Sequence, residues 1–473
     1  MKAGHDLDKP KEACGVFGLY APGEDVSRLI YFGLYALQHR GQESAGIAVT
    51  SGSEINCYKD MGLVNLVFNE NILRLLKGTT GIGHVRYSTT GSSIKINSQP
   101  IHSRGEREVA VAHNGNLINT SSLRAELESN GLIFKSTSDT ELISEMIAKS
   151  TEPTAEAAVE SCLEKLKGAF SLVILTENKL FAIRDELGMR PLCIGTLGDN
   201  KWVVASESCA FGIIGAKFVR QVEPGEMVII EDGKLTSKKY KDSKKEALCI
   251  FEYIYFARPD SIMLGQSLYN CRKRLGANLA KEVPTEADVV ISVPDSGTPA
   301  AIGYAHETGI PFEQGLIKNR YVGRTFIQPD QNMRDLGVKI KLNPLMECIE
   351  GKRVIMVDDS IVRGSTSRQI IKMLYNCGAK EVHVRVSCPP VKNPCYYGID
   401  MATSEELLAS SRSVEEIREI LGCDSIAYLS INGMINATGS ECSHFCKACF
   451  DGEYPIKIPH QLALDKLVFE KQS

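Results

Sequence analysis

Two stretches of this chain carry residue types that could do chemistry. Cys14 opens the apolar run Cys14-Gly15-Val16-Phe17-Gly18, which reads as a strand and directly follows the polar segment Met1–Ala13. A deprotonated cysteine is a good nucleophile. Were Met1–Ala13 removed, the freed α-amine would belong to the nucleophile's own residue. Its ordinary pKa of about 7.7–8.0 suits a general base near neutral pH. The plainer alternative for Cys14 is a small buried hydrophobe. The second stretch is Val354–Gly364, VIMVDDSIVRG, with Ser365–Arg368 after it. Its apolar run Val354–Val357 ends in two carboxylates, Asp358 and Asp359. A turn follows with Gly364, Ser365, Thr366 and Ser367. A helical pattern then places Ile370, Ile371 and Leu374 on one face and ends near Gly378. Strand, loop and helix in that order bring a helix N-terminus, hydroxyl donors and a pair of acids to the carboxyl end of a strand. The N-terminus and hydroxyls suit a phosphate. The acids suit sugar hydroxyls, directly or through Mg²⁺. Together they suit a sugar phosphate, against the plainer alternative of a buried parallel strand with an ordinary polar turn.

The elements that must position these groups need room. The chain has 473 residues, enough for two or three domains with full cores. Apolar residues make up 43% and charged residues 24%, as in ordinary globular proteins. A net charge of −4 gives no bulk attraction to nucleic acid or to a membrane surface. No apolar run is long enough to span a bilayer, and Met1–Ala13 lacks the apolar core of a secretory signal. The expected location is therefore cytoplasmic. The 15 cysteines are scattered, which predicts reduced thiols and a metal or cluster site in place of a disulfide framework. Short apolar stretches, Phe170–Leu175, Leu180–Arg184, Trp202–Ala205 and Met227–Ile230, predict strands of a sheet-rich first half. The charged Ser237–Glu246 is the best linker candidate.

Five motifs in the first half, in order, resemble the N-terminal nucleophile glutaminases: CGVFGLY at Cys14–Tyr20, LQHRGQESAGIAV at Leu37–Val49, GIGHVRYSTTG at Gly81–Gly91, AHNGNL at Ala112–Leu117 and STSDTELI at Ser136–Ile143. The resemblance implies an αββα sandwich, a propeptide at 1–13 and a mature chain beginning at Cys14. It also implies roles. Cys14 would attack the side-chain amide of glutamine and form a thioester. Asn114 and the N–H of Gly115 would form the oxyanion hole. Arg86 would hold the glutamine carboxylate and Asp139 its ammonium, with Arg40 supporting the site around Cys14. Two of these groups also have purely local readings. Ser138 and Glu141 have the spacing of a helix capping box, with Asp139 in its first turn, and Asn114-Gly115 is a good turn dipeptide.

VIMVDDSIVRGSTS resembles the 5-phosphoribosyl-1-pyrophosphate (PRPP) loop of type I phosphoribosyltransferases, α/β proteins with a parallel sheet. The longer VDDSIVRG, with EYIYFARPDS at Glu252–Ser261, resembles the glutamine PRPP amidotransferases, or amidophosphoribosyltransferases. The apolar run Asp288–Val293 ends in Pro294-Asp295-Ser296-Gly297, which resembles the family's pyrophosphate loop. The resemblance implies PRPP contacts from Asp295, Ser296, Gly297, Asp358, Asp359, Gly364, Ser365, Thr366 and Ser367. Mg²⁺ would be linked to Ser296, Asp358 and Asp359. The long segment Gly315–Pro344 carries Lys318, Arg320, Arg324, Arg334, Lys339 and Lys341 and reads as a basic lid. Ser365-Thr366 stands where the family commonly has two threonines, and a hydroxyl is kept.

Cys446-x-x-Cys449 near the C-terminus could by itself be half a zinc site, a redox pair or two idle thiols. One branch of the amidotransferases carries a [4Fe–4S] cluster, and its ligand contexts resemble those of Cys249, Cys395, Cys446 and Cys449, with Cys442 as an extra thiol. The expected organisation is thus a propeptide at 1–13, a glutaminase domain at 14–245, a phosphoribosyltransferase domain at 246–440 and a cysteine-bearing tail at 441–473. The implied reaction makes 5-phosphoribosylamine, glutamate and pyrophosphate from glutamine, PRPP and water, the first step of purine synthesis. The family further implies inhibition by purine nucleotides and assembly as a homodimer or homotetramer. A hexosamine-forming relative would lack VDDSIVRG. A non-catalytic PRPP sensor would lack Cys14 or carry a basic DNA-reading domain.

Overall fold

The computed structural model describes residues 14–87, 92–243, 245–319, 341–401 and 403–458. The segment 1–13, expected to be a propeptide, lies outside them, as do residues 320–340 of the expected lid.

The first half is built on two antiparallel sheets. One has seven strands, in the order Lys217–Gln221, Cys193–Gly198, Lys201–Ala205, Gly15–Tyr20, Thr80–Arg86, Ser44–Thr50 and Ile55–Met61. The other has six, in the order Lys234–Lys239, Glu226–Glu231, Leu180–Arg184, Gly168–Thr176, Glu108–Leu117 and Ile101–Arg104. Side chains alternate along each strand, so one strand feeds two cores. On Gly15–Tyr20, Phe17 and Leu19 pack under the helix Val26–Ala36, while Val16 points between the sheets. On Glu108–Leu117, Val109 and Val111 pack under the helices Asp139–Ala148 and Ala155–Leu163, while Ala110 and Ala112 meet the other sheet. The result is the αββα sandwich.

Each strand expected from the apolar stretches is present. The linker begins later than its composition predicts. Ser237–Lys239 complete the edge strand Lys234–Lys239, paired with Glu226–Met227–Val228, and Tyr240 donates its hydroxyl to the Arg184 carbonyl at 3.0 Å. An edge strand with one solvated face tolerates the lysines that made this stretch look unstructured. The capping box does not close either. Ser138 accepts from the Thr140 N–H, but the Glu141 carboxylate takes the N–H groups of Lys135 and Ser136 at 2.9 and 2.7 Å.

The second half holds a four-stranded parallel sheet in the order Val289–Ser292, Arg353–Asp358, Glu381–Val386 and Ser425–Tyr428. Helices Leu268–Glu282, Thr298–Thr308, Ser365–Asn376 and Val414–Leu421 complete it. The near-continuous apolar runs in the strands follow from burial on both faces. The tail is not separate from this domain. Phe445 and Phe450 belong to its core, and Phe445–Cys446 pairs in parallel with Leu248–Cys249.

The two halves are joined by buried charge. The guanidinium of Arg40 donates from Nη2 to Glu252 at 2.7 Å and from Nη1 to both Glu252 and Glu207. Arg190 reaches the same Glu252 at 2.8 Å. Glu207 also accepts from the Arg258 N–H and the Ser261 hydroxyl, both at 2.8 Å, and pairs with His39. Burial opposes the charge on Arg40, but Glu252 and Glu207 outweigh it and hold the guanidinium above its ordinary value. Burial likewise opposes charge on Glu207, and His39 and Arg40 outweigh it. Removing one partner strands the others without water. Glu252→Ala is therefore expected to destabilise the protein by about 3–5 kcal/mol, read as a lowered denaturant midpoint. An unchanged midpoint would show that the cluster contributes nothing.

Candidate active site

Cys14 lies at the mouth of the strand Gly15–Tyr20, nearly fully buried, with its Sγ donating to the Tyr87 carbonyl at 3.2 Å. Arg86 ends the neighbouring strand, in register with Ser44 on its other side. Its guanidinium lies 3.9 Å from Glu43 and donates to the Ser92 carbonyl at 3.2 Å. Asp139 begins the helix Asp139–Ala148, and its carboxylate accepts from the Leu117 N–H at 3.2 Å. All of these charges act on the Cys14 thiol. Burial pushes its pKa up, the Tyr87 hydrogen bond and Arg86 pull it down, and Glu43 and Asp139 add to the rise. Asp139 itself stays ionised: burial opposes its charge, but His113, the Leu117 N–H and Arg86 lower its pKa.

Asn114 and Gly115 lie inside the strand Glu108–Leu117, not in a turn. The sheet holds them opposite Ser171 and Phe170. His84, in register with Val16, donates from Nε2 to the carbonyl of His113 at 3.0 Å, which ties this strand to the one bearing Cys14. The Asn114 amide is fully buried, and neither its oxygen nor its nitrogen has a hydrogen-bond partner among the described residues. A buried amide in that state normally costs stability and calls for a ligand. Arg40 is a different case. Its Nε donates to the Cys14 carbonyl at 3.2 Å, and its other nitrogens are engaged by Glu207 and Glu252. It positions the Cys14 backbone.

The second cluster lies at the carboxyl ends of adjacent parallel strands, Val289–Ser292 and Arg353–Asp358, where Ser292 pairs with Val357. Asp358 closes its strand, and its Oδ1 accepts from the Asp359 N–H at 2.9 Å. Both acids are buried. Gly364 adopts φ of +83°, a left-handed turn that suits glycine, and caps the helix Ser365–Asn376. That places Ser365, Thr366 and Ser367 in the helix's first turn. The other strand leads to Asp295, Ser296 and Gly297 just before the helix Thr298–Thr308. Asp295 is exposed and pairs with Lys318 at 2.7 Å. Lys318 lies in the strand Leu316–Lys318, which pairs antiparallel with Leu342–Pro344 and forms the stem of the expected lid.

Cys249 and Cys446 sit opposite each other in the short parallel ladder. The Cys449 carbonyl accepts from the Lys392 and Asn393 N–H groups at 2.9 and 3.0 Å, bringing the tail to the loop that holds Cys395. Burial pushes all four thiols up, Cys249 to about 12; the charge of Cys395 adds to the rise at Cys249, Cys446 and Cys449, and that of Cys249 to the rise at Cys446 and Cys449. Cys442 is exposed by contrast.

Comparison with known proteins agrees with this geometry. Residues 84–212 match the glutamine amidotransferase domain family, and residues 266–407 the phosphoribosyl transferase domain family. An amidophosphoribosyltransferase of Synechococcus elongatus is 53% identical over 469 residues, covering 98% of this chain and 95% of that one. The Bacillus subtilis amidophosphoribosyltransferase is 49% identical over 454 residues, covering 94% and 95%. The chain belongs to the amidophosphoribosyltransferase family. A solved structure described as the allosteric regulatory enzyme of purine biosynthesis superposes with a TM-score of 0.91 at 48% identity, covering 96% of this chain and 98% of that one. The B. subtilis glutamine PRPP amidotransferase complexed with ADP and GMP superposes with a TM-score of 0.90 at 48% identity, covering 95% and 99%.

In this family member several working groups escaped the sequence. Glu207 and Glu252 hold Arg40, and His113 lies 3.5 Å from Asp139. The signal for Glu252 was an acid inside the apolar stretch LCIFEYIYF, where an ionised side chain needs a buried partner. Nothing in the sequence around Glu207 identifies its partners. The charge balance at Cys14 predicts its reactivity. Because burial dominates, iodoacetamide labelling of Cys14 should rise steeply from pH 7 to pH 9, and Arg86→Gln should slow it at every pH. Labelling that is already maximal at pH 7 would contradict this balance.

Proposed function

We propose that the two clusters act in sequence on glutamine and PRPP, with the residue roles as follows. The buried, unpartnered Asn114 amide is the observation that carries the reading, because it is a donor held ready for a charge that is absent at rest. In a chain cut before Cys14, the α-amine accepts the thiol proton and Sγ attacks the side-chain amide carbon of glutamine. The oxygen of the tetrahedral intermediate takes hydrogen bonds from Asn114 Nδ2 and the Gly115 N–H. Ammonia leaves, and water hydrolyses the thioester to glutamate. Arg86 pairs with the substrate carboxylate, where a planar guanidinium suits two oxygens. Asp139, kept ionised, pairs with the ammonium.

In the second half the N-terminal turn at Ser365, Thr366 and Ser367 receives the 5-phosphate, and the loop Asp295-Ser296-Gly297 the pyrophosphate. Asp358 and Asp359 take the ribose hydroxyls. Ammonia attacks the anomeric carbon and pyrophosphate leaves. Free ammonia in neutral water is mostly ammonium, so delivery inside the protein keeps it nucleophilic. Among the described residues no three His, Cys, Asp or Glu side chains converge on a single metal ion. Asp358, Asp359 and Ser296 would hold Mg²⁺ together with substrate oxygens, where it would neutralise pyrophosphate charge. The second implied group is a [4Fe–4S] core. Cys249, Cys395, Cys446 and Cys449 suit that core as thiolate donors, and it would bind the linker, the Cys395 loop and the tail together. Purine nucleotide inhibition and homo-oligomeric assembly complete the reading, in keeping with the ADP and GMP bound by the B. subtilis relative. Among the described residues no helix is long and apolar enough to cross a membrane.

Two measurements test this. Glutaminase activity of protein whose intact mass shows Cys14 as the first residue should be strongly stimulated by PRPP, and full activity in protein retaining Met1 would refute the processing step. Purified protein should be brown with stoichiometric iron and should lose its visible absorption in Cys395→Ser. Stoichiometric zinc without iron would refute the cluster.

A further inference from the structure

We propose that Gly398, in the second half of the chain, is a positioning residue for the oxyanion-binding backbone of the first. The inference rests on the reading of Asn114 and Gly115 as oxyanion donors. The strand Glu108–Leu117 is supported unevenly by its sheet. Ile101–Arg104 pairs with it only as far as Val111, so residues 112–117 have a strand neighbour on one side, Gly168–Thr176. On that side the approach is close: a Cβ on Gly115 would lie 2.0 Å from the Ala169 carbonyl oxygen, and Gly115 has φ of +148°.

A segment of the second half, Cys395-Tyr396-Tyr397-Gly398, is packed against the same stretch. A Cβ on Gly398 would lie 2.8 Å from the Gly115 carbonyl carbon and 3.0 Å from its Cα and O, closer than the 3.4–4 Å of ordinary contact. One residue further on, Asn116 Nδ2 donates to the Tyr396 carbonyl at 3.0 Å. The segment is itself anchored. The Tyr397 hydroxyl donates to the Ile456 carbonyl and the Tyr454 hydroxyl to the Pro394 carbonyl, both at 2.7 Å. The Tyr397 ring packs with Ile118 and Ala169. The Gly115 backbone is thus wedged between Ala169 and Gly398, and no side chain fits on either glycine. An oxyanion donor must sit at hydrogen-bond distance from an atom that exists only in the transition state, so a displacement of tenths of an ångström weakens catalysis more than substrate binding.

The test is Gly398→Ala in the processed full-length protein, assayed for glutaminase and for ammonia-dependent use of PRPP. The second assay bypasses glutamine and reports on the folded transferase half. The expected result is a glutaminase kcat lower by about 10- to 100-fold, with KM for glutamine and the ammonia-dependent rate near wild type. A wild-type glutaminase kcat overturns the proposal. Were both activities lost together, Asn116→Ala, which releases the Tyr396 carbonyl without adding an atom, decides: selective loss of glutaminase kcat supports the proposal, and any other pattern overturns it. Asn114→Ala separates the two readings. If it leaves glutaminase kcat intact, the oxyanion assignment fails and the inference falls with it. If it lowers kcat while Gly398→Ala does not, only the inference fails.

Discussion

The carboxylate of Glu252, shut away from water between Arg40 and Arg190, is the constraint on which the arrangement of the molecule depends. An ionised carboxylate in that position is tolerable only if its partners stay within hydrogen-bond distance. One of them, Arg40, comes from the first half and also grips the Cys14 carbonyl. The other, Arg190, comes from the same half by a separate loop. The halves therefore cannot part without exposing or orphaning three charges, and the arginine that grips the Cys14 carbonyl is itself held by an acid of the second half.

The same region lies within electrostatic reach of Asp359, one of the paired acids. Arg272, on the helix Leu268–Glu282, donates to the carbonyls of Tyr253, Ala257 and Glu252. Burial lowers its pKa, and the charge of Asp359 works against that fall. Cys14, Arg40, Glu252 and Arg272 thus form a continuous series of hydrogen-bond contacts, and the charge of Asp359 is felt at its end. A second join runs through the cysteine-rich region, where the tail pairs with Leu248–Cys249 and the Tyr396–Gly398 segment lies against the strand bearing Asn114. The first join reaches the Cys14 carbonyl through the Arg40 side chain, and the second lies directly against the Gly115 backbone.

Much of this was legible in the residues. The strand and helix of VIMVDDSIVRGSTS follow from an apolar run, a glycine and a 3.6-residue period, all local properties of the chain. The sandwich strands were visible for the same reason, as short buried runs between turn residues. Local reading failed where local alternatives were close in energy. Ser138 and Glu141 have capping-box spacing, yet Glu141 is drawn to the N–H groups of Lys135 and Ser136. Asn114-Gly115 has turn composition, yet nine residue pairs with Gly168–Thr176 hold Glu108–Leu117 in a sheet. The lysines of Ser237–Lys239 look like linker and are an edge strand.

The sequence by itself determined the candidate site groups: a thiol at Cys14, an amide at Asn114, paired acids at Asp358 and Asp359, and hydroxyls at a helix start. Those depend on side-chain chemistry and on neighbours a few residues away. Only the tertiary structure decided which charges surround Cys14, that Glu252 holds Arg40, and that Gly398 abuts Gly115. These pairings join residues 212 and 283 positions apart for Arg40–Glu252 and Gly115–Gly398. Burial decides such contacts by removing water from the whole set at once, and that is a property of the packed fold which no local pattern encodes.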